Sequence, residues 1–133
     1  MKLIEACAAI AAARTGRAIV ATMGAMRAFD QLECGEARLS SVPLMGGAAS
    51  LGLGLALARP DVGVIVVDGD ASLLMQLGGL VGVADAAPKN FLHFVANNGS
   101  QFTGGYNLAI PGAGSVDFPG LARAAGYRCV STF

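Results

Sequence analysis

Asp70 and Asn98 are the side chains whose chemistry and surroundings suit the binding of a divalent cation. Asp70 follows the β-branched run at 62–67, and Asn98 follows the apolar run at 91–96. Ligands of open parallel sheets bind beyond the carboxyl ends of the strands, so we expect both side chains at one edge. A carboxylate and an amide oxygen are hard ligands. With the Ser100 carbonyl and two diphosphate oxygens they bring magnesium close to octahedral coordination.

The residues around Asp70 also favour an anion. A helix is predicted to begin near Ser72, and the N–H groups of its first turn attract negative charge. Gly69 allows the backbone to approach a ligand closely. The two segments together predict a magnesium diphosphate bound where adjacent strands end. Taken alone, Asp70 suits a helix cap and residues 97–99 suit a plain turn.

Strand-like runs alternate with helical segments, which predicts an α/β fold of three layers, a parallel sheet with helices on both faces. Strands are predicted at 17–21, 62–67, 91–96 and 128–133. Helices are predicted at 3–13, 48–58, 72–84 and from Asp117 to Gly126. The segment 25–41 is predicted to be a loop with a short helix, and 99–115 a glycine-rich loop. Without an internal repeat or linker, we expect residues 1–133 to form one domain, truncated within its last strand.

The composition excludes several classes of protein. Lys plus Arg and Asp plus Glu both number 9, which argues against a basic nucleic-acid surface or a polybasic membrane contact. A hydrophobic share of 54% with 14% charged residues excludes intrinsic disorder and indicates a surface partly covered by another protein. The uncharged segment 40–58 contains Pro43 and several glycines, so we expect a buried helix rather than a membrane span.

Other motifs carry less chemistry. The three cysteines are widely spaced, which indicates no zinc or iron–sulfur site and favours the reducing cytoplasm. His93, the single histidine, lies within a predicted strand and is interpreted as a hydrogen-bonded core residue. The Gly52-Leu53-Gly54 fragment precedes a strand, so it is not a dinucleotide-binding fingerprint.

The two polar segments resemble the thiamine diphosphate motif, in which Gly-Asp-Gly is followed at about this spacing by Asn-Asn. Here Gly69-Asp70-Ala71 is followed, after residues 72–96, by Asn97-Asn98. The chain resembles the diphosphate-binding domain of thiamine diphosphate-dependent decarboxylases, in particular the β subunit of sulfopyruvate and phosphonopyruvate decarboxylases. The similar stretches are 19–25, 43–60, 64–80, 97–105 and 116–127. The resemblance therefore covers nearly the whole chain.

The resemblance implies which residues bind the cofactor. The magnesium ligands would be the side chains of Asp70 and Asn98 and the carbonyl of Ser100. The diphosphate would be held by Ser72 and by backbone near Gly24 and Ala71, and Gly69 would also lie against the cofactor. Met45 would support the bent form of the cofactor, and a carbonyl near Pro43 would accept a hydrogen bond from its pyrimidine ring. From its residue type alone, Met45 also suits an ordinary core position.

The sequence departs from the family pattern at two of these positions. Ala71 replaces the third glycine of the motif, which reduces the conformational freedom of the backbone. Pro43 stands where relatives often have glycine.

The resemblance also implies an activity and a partner. The chain would be a subunit of a thiamine diphosphate- and Mg²⁺-dependent decarboxylase of a small 2-oxo acid, with the cofactor acting as the electron sink. The glutamate that activates the cofactor in these enzymes lies in a pyrimidine-binding domain. The glutamates of this chain, Glu5, Glu33 and Glu36, lie in no such domain. We therefore expect an α-type subunit to supply it, within a homo- or hetero-oligomer.

Three residues of the glycine-rich loop are candidates for substrate contacts, namely Gln101, Thr103 and Asn107. The alternative is that the loop is a lid that only excludes water. An acetolactate synthase-like carboligase subunit and a non-catalytic binding module also stay open as functions. Neither a nucleic acid nor a membrane is expected as a partner, and the expected location is the cytoplasm.

Overall fold

The computed structural model describes residues 1–40, 45–102 and 105–133. The strands in these residues are β1 (Ala18–Ala21), β2 (Arg38–Ser40), β3 (Val64–Gly69), β4 (Phe91–Ala96), β5 (Ser100–Phe102) and β6 (Asn107–Ala109). The helices are α1 (Leu3–Ala13), α2 (Met23–Gln31), α3 (Gly47–Ala58), α4 (Asp70–Met75), α5 (Gly78–Ala86) and α6 (Phe118–Ala125). None of the described helices has the length and apolar character needed to cross a membrane.

Four parallel strands form the central sheet, in the order β2-β1-β3-β4. Successive side chains of a strand point to opposite faces of the sheet. On one face, Ile19 and Ile65 pack in a cluster with residues of α1 and α2. On the other face, Val20 and Val66 pack with residues of α3. This arrangement confirms the predicted three-layer α/β fold.

Parallel pairing brings the carboxyl ends of three strands to one edge of the sheet. Gly69, the last residue of β3, pairs with Ala96, the last residue of β4. Ala21, the last residue of β1, pairs with Val67 on the other side of β3. The chain therefore enters α2, α4 and the β5–β6 hairpin from the same edge.

The prediction of a single helix at 72–84 is wrong. The structure has α4, which ends at Met75, and α5, which begins at Gly78. Between them Gln76 adopts a φ of −146°, outside the helical region. Gly78 and Gly79 favour this break because glycine is a poor helix former, and the spacing of apolar residues does not reveal it.

The strand predicted at 128–133 is also wrong, because these residues form no strand. Cys129 is exposed and Phe133 is 96% exposed. These residues therefore bury too little apolar surface to compensate for the conformational entropy lost on ordering a strand. The segment 25–41, predicted as a loop with a short helix, contains most of α2 and also β2. The strand β2 is short and exposed, and it lacks the apolar pattern by which strands are recognised.

The C-terminal helix begins and ends as predicted. The Asp117 Oδ1 atom accepts a hydrogen bond of 2.9 Å from the Gly120 amide at the start of α6. Gly126 ends the helix in the left-handed region, with a φ of 108°. The glycine-rich loop at 99–115 is more regular than predicted, since it contains the antiparallel pair β5 and β6.

Gly52 sets how closely α3 packs on the sheet. A Cβ atom at Gly52 would lie 2.3 Å from Val66 Cγ2 and 3.2 Å from Phe91 Cε2. Gly54 lies in the same helix but is exposed, and a Cβ there would meet no atom within 4 Å. The two glycines therefore separate the effect of a close contact from the effect of helix propensity.

We expect Gly52→Ala to lower the free energy of unfolding by about 1–3 kcal/mol, because the short branched Val66 side chain has little room to move. Gly54→Ala is the matched control and should raise the free energy of unfolding by up to about 1 kcal/mol. Urea unfolding of both variants measures the difference. Equal stability of the two variants would contradict the close approach of α3 to the sheet.

A buried polar group connects β3, β4 and the segment after α6. The ring Nδ1 of His93 lies 3.1 Å from the Tyr127 hydroxyl oxygen. Its Nε2 lies 3.9 Å from Asp68 Oδ2, and these two buried atoms have no hydrogen-bond partner. His93 is thus the core residue that the sequence predicts, with one ring nitrogen unsatisfied. Burial lowers the pKa of His93 to about 4 and raises the pKa of Tyr127 to about 12.

This burial predicts a loss of stability in weak acid. Between pH 6.5 and 4 the unfolded chain protonates His93 while the folded chain does not. The free energy of unfolding should therefore fall as the pH drops through this window, by roughly 3 kcal/mol for a shift of this size. Burial raises the pKa of Asp68, which opposes part of the loss.

His93→Asn removes the titrating group and keeps a polar side chain near Tyr127, so it is the variant for comparison. Urea unfolding of both proteins at several pH values gives the difference, in which the carboxyl groups distant from His93 cancel. The wild-type chain should lose more stability than the variant as the pH falls. Parallel pH profiles would show that His93 does not contribute.

Candidate functional site

A cavity of about 320 Å³ lies where β1, β3 and β4 end. Its walls come from the start of α2, from α4, from Met45 and from the β5–β6 hairpin. Every predicted site residue within the described ranges lines it: Gly24, Met45, Gly69, Asp70, Ala71, Ser72, Asn98, Ser100, Gln101 and Asn107. Pro43 and Thr103 lie outside the described residues. Residues far apart in the sequence therefore share one cavity.

Asp70 holds the ends of β3 and β4 together. Its side chain is buried, and Oδ2 accepts hydrogen bonds from the amides of Asn98 (2.9 Å) and Gly99 (2.6 Å). Its Oδ1 accepts a bond of 2.8 Å from the Ala71 amide. Bonds to an ionised carboxylate are stronger than neutral ones, so they fix the turn after β4 beside the start of α4. The Asn98 backbone is consequently in direct contact with the Asp70 carboxylate.

The oxygen of the Asn98 side chain faces the next turn of the chain. Asn98 Oδ1 accepts hydrogen bonds from the Ser100 amide at 2.9 Å and the Ser100 hydroxyl at 3.0 Å. An amide oxygen has two lone pairs, so one becomes free for a cation when the hydroxyl rotates away. The Asp70 carboxylate keeps an open acceptor position on Oδ1, because a carboxylate offers about four and three donors are present.

The side-chain oxygens of Asp70 and Asn98 are ligands of the kind that suits a hard divalent cation, once the Ser100 hydroxyl has rotated away from Asn98. Within the described ranges, this cavity included, no group of three or more His, Cys, Asp or Glu side chains could hold a metal ion, so a cation here would also need amide, carbonyl or ligand oxygens.

The start of α2 forms the wall on the β1 side of the cavity. Met23 adopts a φ of 51°, an uncommon conformation for a residue other than glycine and one that often occurs at functional sites. The first N–H groups of a helix have no acceptor within it and carry partial positive charge. Because Gly24 lines the cavity here, the first turn of α2 suits an anionic group such as a phosphate.

The donors expected at α4 have partners within the chain. The Ala71 amide is bonded to Asp70, and the Gly69 amide donates to Asp68 Oδ1 at 2.9 Å. The Ser72 hydroxyl is buried, and its oxygen accepts the Gly46 amide at 2.7 Å. A hydroxyl that accepts one bond still has its own proton to donate. The Ser72 side chain also makes a hydrogen bond with Asp68, so the first N–H groups of α2, which have no acceptor within the helix, suit a diphosphate better than Ser72 does.

Gly46 positions Met45 at the cavity. Its φ of 84° is left-handed, and a Cβ atom there would lie 2.8 Å from Gln76 Cβ. Glycine thus allows the start of α3 to approach α4 closely. Met45 is half-buried and packs against the apolar cluster that contains Leu73. The same side chain therefore lines the cavity and belongs to the core, so both sequence-based explanations suit it.

The β5–β6 hairpin forms the opposite wall of the cavity. Gln101 on β5 is half-buried and Asn107 at the start of β6 is exposed. The Ile110 amide donates a bond of 3.1 Å to the Gly99 carbonyl, which joins the hairpin to the turn that Asp70 holds. This position suits a substrate contact as well as a lid.

Two charged residues line the cavity without having been predicted there, Asp68 and Arg27. Asp68 is buried near the end of β3. An acidic residue directly after a run of apolar strand residues was the feature of the sequence that could have indicated its role. Arg27 follows Gly24 by three residues, which is close to one helical turn. The spacing was visible in the sequence, but residues 25–41 were predicted to be mainly loop.

Known proteins resemble the chain across this whole region. The sequence model described as "Thiamine pyrophosphate enzyme, C-terminal TPP binding domain" matches residues 21–132. The phosphonopyruvate decarboxylases of Streptomyces viridochromogenes and Streptomyces hygroscopicus are each 42% identical over 114 residues, which cover 85% of this chain and 28% of either enzyme. The sulfopyruvate decarboxylase subunit beta of Methanothermobacter thermautotrophicus is 38% identical over 86 residues, which cover 65% of this chain and 45% of that subunit.

The chain thus spans less than half the length of these relatives. The family match nevertheless includes all the described residues that line the cavity, apart from Leu3. The chain therefore belongs to the thiamine pyrophosphate enzyme family and carries its C-terminal TPP-binding domain.

Proposed function

We propose that the chain binds thiamine diphosphate together with Mg²⁺ in this cavity and acts as the diphosphate-binding subunit of a 2-oxo acid decarboxylase. The junction between Asp70 and Asn98 carries the proposal. It combines two oxygen ligands of the kind that Mg²⁺ prefers with the free N–H groups of α2 nearby. Membership of the family supplies the identity of the organic cofactor.

The residues of the cavity divide into three groups by task. The side chains of Asp70 and Asn98 and the carbonyl of Ser100 bind Mg²⁺. The backbone at Gly24 holds the diphosphate, and Gly69, Ala71 and Ser72 lie beside it, with the amides of Gly69 and Ala71 bonded to Asp68 and Asp70. Met45 and backbone near Pro43 orient the remainder of the cofactor. Bound thiamine diphosphate supplies a nucleophilic carbon and an electron sink for the loss of carbon dioxide.

A second chain completes the site. None of the glutamates Glu5, Glu33 and Glu36 is among the described residues that line the cavity. We propose that the carboxylate that activates the cofactor comes from an α-type subunit that binds the pyrimidine ring. The name of the methanogen relative, a subunit beta, supports such an assembly.

The names of the relatives also suggest the substrate class. They act on phosphonopyruvate or sulfopyruvate, so we propose a small 2-oxo acid with a second anionic group. Gln101 on β5, Asn107 on β6 and, from the sequence, Thr103 are the proposed contacts. All three cysteines are free thiols, which agrees with a location in the reducing cytoplasm.

Asn98→Ala tests the magnesium site, with Asn97→Ala as its matched control. Asn97 precedes Asn98 in the same turn but does not line the cavity. Wild-type chain should bind thiamine diphosphate in the presence of Mg²⁺ and lose most of that affinity in EDTA. Asn98→Ala should weaken binding about 10- to 100-fold, the range for a lost ligand or its supporting contact, while Asn97→Ala should bind normally.

Isothermal titration calorimetry measures all three proteins with and without Mg²⁺. Asn98→Ala should stay folded, because the hydrogen bonds from this turn to Asp70 come from backbone amides. Thermal melting checks this. Equal affinities of Asn98→Ala and Asn97→Ala would contradict the proposed ligand. Binding that is unchanged by EDTA would contradict the need for a metal.

The proposed activity requires the partner subunit. Purified chain with thiamine diphosphate and Mg²⁺ should release little carbon dioxide from sulfopyruvate or phosphonopyruvate. Addition of a pyrimidine-binding subunit should raise the rate strongly, since it brings the activating carboxylate. The same subunit with that glutamate changed to glutamine is the control and should restore little activity. Full turnover by the chain alone would refute the divided site.

A further inference from the structure

The wall of the cavity formed by α2 contains a basic side chain, Arg27, to which the proposed function gives no role. Among the described residues that line the cavity, Arg27 is the only Lys, Arg or His. The acidic side chains there are Asp68 and Asp70, and both are buried. A ligand with several negative charges therefore meets more acidic than basic side chains from this chain.

The order of the strands separates Arg27 from the proposed metal ligands. Arg27 belongs to α2, which follows β1, whereas Asn98 and Ser100 follow β4. Strands β1 and β4 lie on opposite sides of β3. Two of the proposed metal ligands, Asn98 and Ser100, therefore lie toward the β4 side of the cavity and Arg27 toward the β1 side, while Asp70 follows the central strand β3.

The position of Arg27 in its helix adds to the anionic preference of that side. It follows Gly24 by three residues, so the two residues share one face of α2 near its first turn. Gly24 lies in the first turn of α2, where the N–H groups have no acceptor within the helix. A guanidinium and a helix N-terminus beside one cavity together favour an oxyanion more than either does alone.

We infer that Arg27 binds a tetrahedral oxyanion in this cavity, by donating hydrogen bonds from its guanidinium to phosphate, phosphonate or sulfonate oxygens. The inference rests on the proposed function. The net charge of one Mg²⁺, the Asp70 carboxylate and a diphosphate is negative. A further anionic group in the cavity therefore needs a second positive charge nearby. The planar guanidinium matches two oxygens of such a group at once, which an ammonium does not.

Two ligands present this chemistry, the diphosphate of the cofactor and the phosphonate or sulfonate of a substrate. Separate titrations distinguish them. The first uses thiamine diphosphate with Mg²⁺. The second uses 3-phosphonopropionate, titrated into chain already loaded with the cofactor, because this compound has the two anionic groups of phosphonopyruvate and no 2-oxo group to react.

The variants are Arg27→Gln and Arg27→Lys, with Arg123→Gln as the matched control. Arg123 lies in the last turn of α6, is exposed, and does not line the cavity. Arg27 is also exposed, so its replacement should leave the fold intact, which thermal melting checks. Isothermal titration calorimetry gives the affinity for each probe and needs no turnover.

Arg27→Gln should lower the affinity for one of the probes roughly 10- to 100-fold, as expected for a lost hydrogen bond to a charged group. Arg27→Lys should lower the same affinity less. Weaker binding of thiamine diphosphate identifies the diphosphate as the anion. Unchanged cofactor binding with weaker binding of 3-phosphonopropionate identifies the substrate group. If Arg27→Gln binds both probes like Arg123→Gln while wild-type chain binds the cofactor, the role of Arg27 is refuted and the proposed function stands. If wild-type chain and its assembled complex bind no cofactor, both are refuted.

Discussion

The hydrogen bonds from the amides of Asn98 and Gly99 to the Asp70 carboxylate are the contacts on which the cavity depends. They join the end of one strand to the end of its neighbour, and they do so with backbone donors, which survive most changes of side chain. Asp70 is buried, and the three hydrogen bonds that it accepts from backbone amides compensate for the removal of its charge from water. The same residue thus stabilises the edge of the sheet and presents the oxygen proposed to bind the metal.

Close packing of the helices fixes the other walls of the cavity. Gly52 lets α3 approach the sheet, and Gly46 lets the start of α3 approach α4. The Gly46 amide is also bonded to Ser72, so the positions of Met45 and α4 depend on each other. A larger residue at either glycine would move a wall of the cavity as well as weaken the core. Protein interiors transmit such displacements because they are packed without free space.

The fold was predictable where short-range pattern determines structure. The apolar run at 91–96 coincides with β4, and Asp117 with Gly126 marks α6, because strand burial and helix capping leave local signals. The break before Gly78 was missed because a helical spacing of apolar residues continues across it. The strand predicted at 128–133 was wrong because its pattern gives no information about a pairing partner.

The cavity was predictable as a set of residues but not as an arrangement. Sequence spacing indicates that Asp70 and Asn98 follow neighbouring elements, yet the bonds between them depend on the register of β3 with β4. The strand order has a similar consequence, since β1 lies beside β3 although α2, β2 and α3 separate them in the chain. This order puts α2 and its Arg27 on the β1 side of Asp70, with Asn98 and Ser100 on the β4 side. The basic side chain and the polar groups after β4 therefore reach the cavity from opposite sides of β3, and neither the motif nor its spacing contains that arrangement.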